Sequence, residues 1–244
     1  MRTTRHDSFK GITIATAILG AWLLHLWAAL RLPLASVHPV VIAVMMMAQT
    51  FLYTGLFITA HDAMHGSVCR HYRRLNTTIG FIAVTLYALF SYKKLWFKHW
   101  EHHRHVATPN ADPDFHDGEH TGVVRWYAHF LLTYVSWQQI VGMALVFNIL
   151  TRFMGLAVEN VLLFWVFPAL ASTVQLFYFG TYLPHREPPG GHHNAHRSNP
   201  NNWHVLWSFL ACYHFGYHYE HHDSPATPWW KLPALHRAMT VESR

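Results

Sequence analysis

Residues 12–30, ITIATAILGAWLLHLWAAL, run for 19 positions without a charged side chain, and the chain repeats this pattern. Roughly 20 apolar residues is the length a helix needs to cross the ~30 Å hydrocarbon layer of a bilayer. Residues 40–60, 129–150 and 159–183 are further stretches of this kind, the middle one made more polar by Gln138, Gln139 and Asn148. Backbone N–H and C=O groups in hydrocarbon must be satisfied within the chain, so helices are the expected spanning structure. Residues 78–90 and 203–217 are apolar but short, and read as buried, re-entrant or interfacial helices. The expected fold is an all-α integral membrane protein of one domain, residues 1–244, with four transmembrane helices, short re-entrant or interfacial helices and a polar, His-rich cap.

Composition agrees. Charged residues make up 12% of the chain, against about 25% in a typical soluble protein. The net charge of +6 does not point to nucleic acid, because Lys and Arg sit in short clusters between the apolar runs. Arg2, Arg5 and Lys10 precede the first run, and Arg70, Arg73, Arg74, Lys93, Lys94 and Lys98 follow the second. Arg31 alone separates the first two runs, and Arg152 alone the last two. The positive-inside rule then places both termini and both long polar loops in the cytoplasm. The first run exceeds a signal-peptide core and lacks a small-residue cleavage site, so it is expected to stay as an anchor. Nothing resembling a transit peptide precedes it, and a bacterial inner membrane is the expected location.

The chain has 23 histidines, and its His-rich segments are all expected on that same face. HDAMH (61–65) puts His61 and His65 four apart, on one side of a helix. HWEHH (99–103) places His99, His102 and His103 at i, i+3 and i+4, and HYEHH (218–222) repeats this with His218, His221 and His222. Each pentapeptide is a three-toothed imidazole comb. At ~100° per residue the intervening Glu101 and Glu220 turn about 200° away, which suits a hydrogen-bonding partner of an imidazole better than a metal ligand.

Two facing combs can hold two metal ions. Imidazole serves Zn, Cu, Fe and Ni alike, so ligand type leaves the metal open. No HExxH zinc-peptidase motif and no GxSxG hydrolase motif is present. Cys69 and Cys212 are too few for a disulfide framework or a Cys-rich metal site. Two sites with only neutral ligands would be highly positive, and a bridging hydroxide or oxide offsets that charge, as in an oxygen-activating pair of irons.

Other residues carry weaker expectations. His105 follows the second box off its face, and His214 shares a face with His218; each is a candidate further ligand. Asp112 and Asp114, in the turn-like NADPD, can accept N–H bonds from metal-bound imidazoles. The stretch 187–202 reads as irregular, with His192, His193 and His196 on the surface.

The boxes HDAMH, HWEHH and HYEHH, in this order among the spans, resemble those of the membrane fatty-acid desaturase and hydroxylase superfamily. More narrowly the chain resembles the bacterial β-carotene ketolases, most specifically in FITAHDAMHG (57–66), HWEHHRHVATPNADPDFH (99–116), FGTYLPHR (179–186) and the long stretch 203–233. The resemblance implies a non-haem di-iron centre, O2 as co-substrate and electrons from reduced ferredoxin. It implies oxidation of ring carbon 4 of a carotenoid held in the bilayer, taking β-carotene through echinenone to canthaxanthin and zeaxanthin toward astaxanthin. The eight box histidines carry over as ligands. Acyl-CoA desaturases of the superfamily place an Asn and, four residues on, a His near the end of the last span; here Thr181 and His185 have that spacing, making His185 a ninth expected ligand. A fatty-acyl desaturase or hydroxylase of the same superfamily is the nearest alternative. A metal-transporting membrane protein is a more distant one, since its polar residues belong inside the spans.

Overall fold

The computed structural model describes residues 5–242, so Arg2 and the outermost residues of both termini lie outside it. Among the described residues all regular secondary structure is helical, with no strand. Three helices are long and apolar enough to cross a membrane: α1 (Arg5–Ala29), α2 (Pro39–Met64) and the last long helix, Val158–His185. Between them lie α3 (Arg73–Ala88) and α4 (Tyr92–Arg104), bent 100° to each other, then α5 (Val123–Tyr134) and α6 (Trp137–Asn148, continued by a wider turn to Phe153), bent 86°. Counting each bent pair as one span raises the number of crossings to five. Val158–His185 is α7, interrupted by π-helical turns at Leu162–Val166 and Tyr178–Tyr182. Three short helices follow: α8 (Val205–Cys212), α9 (His218–Asp223) and α10 (Leu232–Glu242).

The stretch expected as one span over 129–150 falls on two helices. Val135 is extended, and Ser136 caps α6 by accepting the Gln139 N–H at 3.3 Å. Gln139 is buried and donates Nε2–H to the Ala88 carbonyl at 2.6 Å, closing the open end of α3. That polar tie, invisible in a hydropathy profile, sets the corner.

Asn160 fixes the far side of the bundle. Its Nδ2 donates to the Ala29 and Leu32 carbonyls, both at 2.9 Å, joining the end of α1 to the start of α7. The α1–α2 and α6–α7 turns, with Arg31 and Arg152, therefore share one face. At the opposite face Lys231 pairs with Asp7 at 2.5 Å and the Ser8 hydroxyl meets His71 Nδ1 at 2.9 Å, bringing the starts of α1 and α10 to the 66–72 segment. Between the two faces, Trp22, Tyr53 and Tyr87 pack edge to face in the main apolar core. Small residues allow close approach: a Cβ on Gly80 would lie 2.7 Å from that of Ala63, so the backbone of α3 packs directly on the Ala63 methyl of α2.

Candidate metal centre

Every box histidine sits at a helix end on the face opposite Arg31 and Arg152. His61 is in the last turn of α2 and His65 is its C-cap. His99, His102 and His103 occupy the last two turns of α4, whose start is capped by Ser91. His185 closes α7. His218, His221 and His222 form most of the short α9. The chain turns between α8 and α9 through Tyr213 (φ 48°) and His214 (φ 63°), left-handed conformations that cost non-glycine residues about 1–3 kcal/mol each. Packing compensates, with Tyr213 stacked on Phe51 at 4.3 Å and edge-on to Trp229.

Eight imidazoles gather into two groups, within each of which one ring nitrogen per residue lies within 4.8 Å of the others. The first group is His61, His65, His99 and His221; the second is His102, His185, His218 and His222, all four buried. Each comb is shared: α4 gives His99 to the first and His102 to the second, and α9 gives His221 to the first and His218 and His222 to the second. His103 stands between them, its Nε2 3.1 Å from His221 Nε2 and its ring 4.3 Å from that of His222.

The nitrogens fit metal ions. His102 Nε2 is 3.0 Å from His222 Nε2, which is 2.9 Å from His218 Nε2. Neighbouring ligands at 90° with metal–nitrogen bonds of about 2.1 Å stand about 3.0 Å apart. Both nitrogens of His61 and Nε2 of His185 are buried without a hydrogen-bond partner, and a cation taking the one lone pair of each ring relieves much of that cost.

Around the rings, polar groups set the tautomers. Asp112 accepts His102 Nδ1–H through both oxygens, at 2.9 and 3.0 Å, which leaves the Nε2 lone pair for the centre. The Ala107 and Asp114 N–H groups steady the same carboxylate at 2.8 and 2.9 Å. Burial works against its charge, but His102 and these donors prevail and hold Asp112 below the usual carboxylate range. Asp114 accepts the Tyr134 hydroxyl and lies 3.8 Å from His102 Nδ1; burial pushes its carboxyl up. His185 Nδ1–H donates to the Arg197 carbonyl at 2.9 Å. Burial, followed by the neighbouring imidazoles, pushes His218, His221 and His222 well below the usual histidine range, so they stay neutral as ligands require.

Glu220 turns away from the imidazoles and accepts His236 Nδ1–H at 2.6 Å, tying α9 to α10. Glu101 belongs to neither group. His105 is exposed at the C-cap of α4, outside both groups. His214 also stays outside, its ring stacked on Tyr217 at 5.9 Å. Tyr134, Arg197 and His236 were not expected at the site. No motif marks them, since each arrives by tertiary contact from a helix or loop remote in sequence.

An apolar cavity opens on both groups. Phe57, Leu95, Phe130, Leu176 and Phe215 line it, and His61, His99, His102 and His218 face it. Thr181, in the π-helical turn before His185, lines it too.

The sequence profile of the fatty acid desaturase family matches residues 35–140 and 132–243. A β-carotene ketolase of Haematococcus lacustris is 40% identical over 255 residues, spanning 93% of this chain and 79% of that protein. A β-carotene ketolase of Paracoccus sp. (strain PC1) is 41% identical over 231 residues, 94% of this chain and 93% of that protein. A zeaxanthin 4-ketolase of Chlamydomonas reinhardtii is 41% identical over 244 residues, 95% of this chain and 54% of that longer protein.

Proposed function

Since the chain belongs to the fatty acid desaturase family and, within it, to the β-carotene ketolases, we propose that it is a di-iron carotenoid 4-ketolase. The substrate is β-carotene, carried through echinenone to canthaxanthin, with zeaxanthin taken toward astaxanthin. The observation that carries this reading is the pair of four-histidine groups opening on one apolar cavity.

His61, His65, His99 and His221 would hold one iron, and His102, His185, His218 and His222 the other, with His103 beside both groups. A bound pair of irons supplies two-electron activation of O2, inserting one oxygen atom into a C–H bond and releasing the other as water. Carbon 4 of the ring bears an allylic, weakened C–H bond. One round, consuming O2, two electrons and two protons, yields the alcohol. A second round at the same carbon yields a geminal diol, which loses water to leave the ketone.

The protein's part is position and exclusion. Phe57, Leu95, Phe130, Leu176 and Phe215 grip the ring end of a polyene lying in the bilayer and keep water from the reacting carbon. Asp112 holds the proton on His102 Nδ1. Electrons come from a reduced ferredoxin. The clustering of Arg5, Lys10, Arg70, Arg73, Arg74 and Lys93 on the histidine face supports a cytoplasmic orientation in a bacterial inner membrane.

Expression in bacteria that accumulate β-carotene tests this. A redder keto-carotenoid is expected, absent without O2 and absent with His102→Ala. Unchanged pigment with altered acyl unsaturation would instead make the chain a fatty-acyl desaturase.

A further inference from the structure

A second opening reaches the histidines from the polar side. It is a cavity of about 690 Å³ between the end of α2, the start of α3 and α4, walled by His65 and Trp100 and rimmed by Arg70, Arg73 and Lys93. Its character differs from that of the apolar cavity. All three rim cations are exposed, and no carboxylate is among the residues that line it. Arg74 and Lys94, also exposed, adjoin the rim in sequence and extend the positive field beyond the mouth. The Trp100 ring lies 5.1 Å from that of His65 and 5.6 Å from that of His103, so an aromatic wall links the opening to the first histidine group.

We propose that this basic mouth is the docking surface for an acidic one-electron carrier protein, which delivers electrons to the first histidine group past Trp100 and His65. The proposal rests on the ketolase reading, which demands two external electrons per round. The two openings then divide the work. An apolar substrate enters where Phe57 and Phe130 line the wall, and electrons enter where cations line it. A carrier protein fits better than a small anion because the cations spread over a face wider than the cavity and stay in solvent. Such exposed charges steer an encounter and set its salt dependence more than they tighten a complex.

The test uses the iron-loaded protein in nanodiscs with a [2Fe–2S] ferredoxin, its reductase and NADPH, comparing wild type with the combined R70E/R73E/K93E variant. At about 50 mM salt the KM for ferredoxin is expected to rise ~10-fold or more with kcat held within about twofold, the difference fading near about 0.5 M salt as the charges are screened. Iron content and single-turnover formation of the 4-hydroxy product driven by dithionite are expected to match wild type, and Arg152→Glu, on the opposite face, to leave KM unchanged. If the combined variant loses iron, the three single variants replace it, each with a smaller rise in KM. An unchanged KM overturns the proposal, as does an effect seen only in discs containing phosphatidylglycerol, which would make the mouth a lipid-headgroup site. If wild type forms no 4-hydroxy product even with dithionite, the ketolase reading has failed instead.

Discussion

Replacing Asp112 by Asn leaves the side chain's shape intact and removes its ability to accept on every side. In the native protein the carboxylate accepts His102 Nδ1–H at 2.9 and 3.0 Å, Ala107 N–H at 2.8 Å and Asp114 N–H at 2.9 Å. An amide has one oxygen, so whichever way it is turned its NH2 meets the Ala107 or the Asp114 N–H, donor against donor. Leaving one buried donor unsatisfied costs about 1–3 kcal/mol, and the bond to His102 loses its charge assistance, worth about 1 kcal/mol more. The effect on metal is more specific. Without a carboxylate at Nδ1, His102 is free to move its proton to Nε2, which closes the lone pair aimed at the second group. Loss of such an orienting partner typically lowers metal affinity 10–100-fold. We expect Asp112→Asn to retain about one iron per chain after dialysis against a chelator that leaves wild type with two, while the metal-free variant melts about 5–15 °C below metal-free wild type, as a loss of about 2–4 kcal/mol requires. Iron counted by mass spectrometry, with circular dichroism for the fold, decides it. If Asp112→Asn keeps both irons with the wild-type loss rate, the reasoning from tautomer to ligand is wrong.

Further outcomes follow from individual contacts. Asn160→Leu leaves the buried Ala29 carbonyl only the Leu32 N–H at 3.2 Å and removes the side-chain donor of the part-buried Leu32 carbonyl, so it should lower stability by about 1–3 kcal/mol, read as a lower melting temperature in detergent without change in iron per folded chain. Gly80→Ala places a methyl 2.4 Å from the Tyr92 ring and 2.7 Å from Ala63 Cβ, so α2 and α3 must part, at about 1–3 kcal/mol; reduced yield of folded protein checks this, and a wild-type melting curve refutes it. His105→Ala, at an exposed helix end outside both groups, should leave two irons bound and ketone yield unchanged.

Much of this was legible because the hydrophobic spans and the combs are local patterns. Periods of three and four residues announce one helical face, and the runs 12–30, 40–60 and 159–183 coincide with α1, α2 and α7. Asp112 was legible as well, since a short polar loop following a box can reach back to it. What escaped reading is set by tertiary contact. The corner at Ser136 depends on Gln139 finding the Ala88 carbonyl, 51 residues away. Tyr134 reaches Asp114 only because α5 lies against the loop, and His236 reaches Glu220 only because α10 folds back. The spacing also hid which tooth of each comb serves which group.

That division bears on His103, the box histidine outside both four-membered groups. Around a helix at ~100° per residue, the second tooth of a comb lies about 60° to one side of the first and the third tooth about 40° to the other. On α9 the first and third teeth, His218 and His222, share the second group while the middle tooth, His221, goes to the first. On α4 the first tooth, His99, is in the first group and the middle one, His102, in the second. The same geometry sends the third tooth, His103, with His99, and its Nε2 does lie 3.1 Å from that of His221 in the first group. The contact between the rings of His103 and His222, at 4.3 Å, is then packing across the midline. We therefore predict that His99→Ala and His103→Ala deplete the same iron. The double variant H99A/H103A should retain about one iron per chain under limiting metal, whereas H103A/H185A should weaken both sites and retain less. The opposite order would assign His103 to the second group and break the symmetry inferred for the two combs.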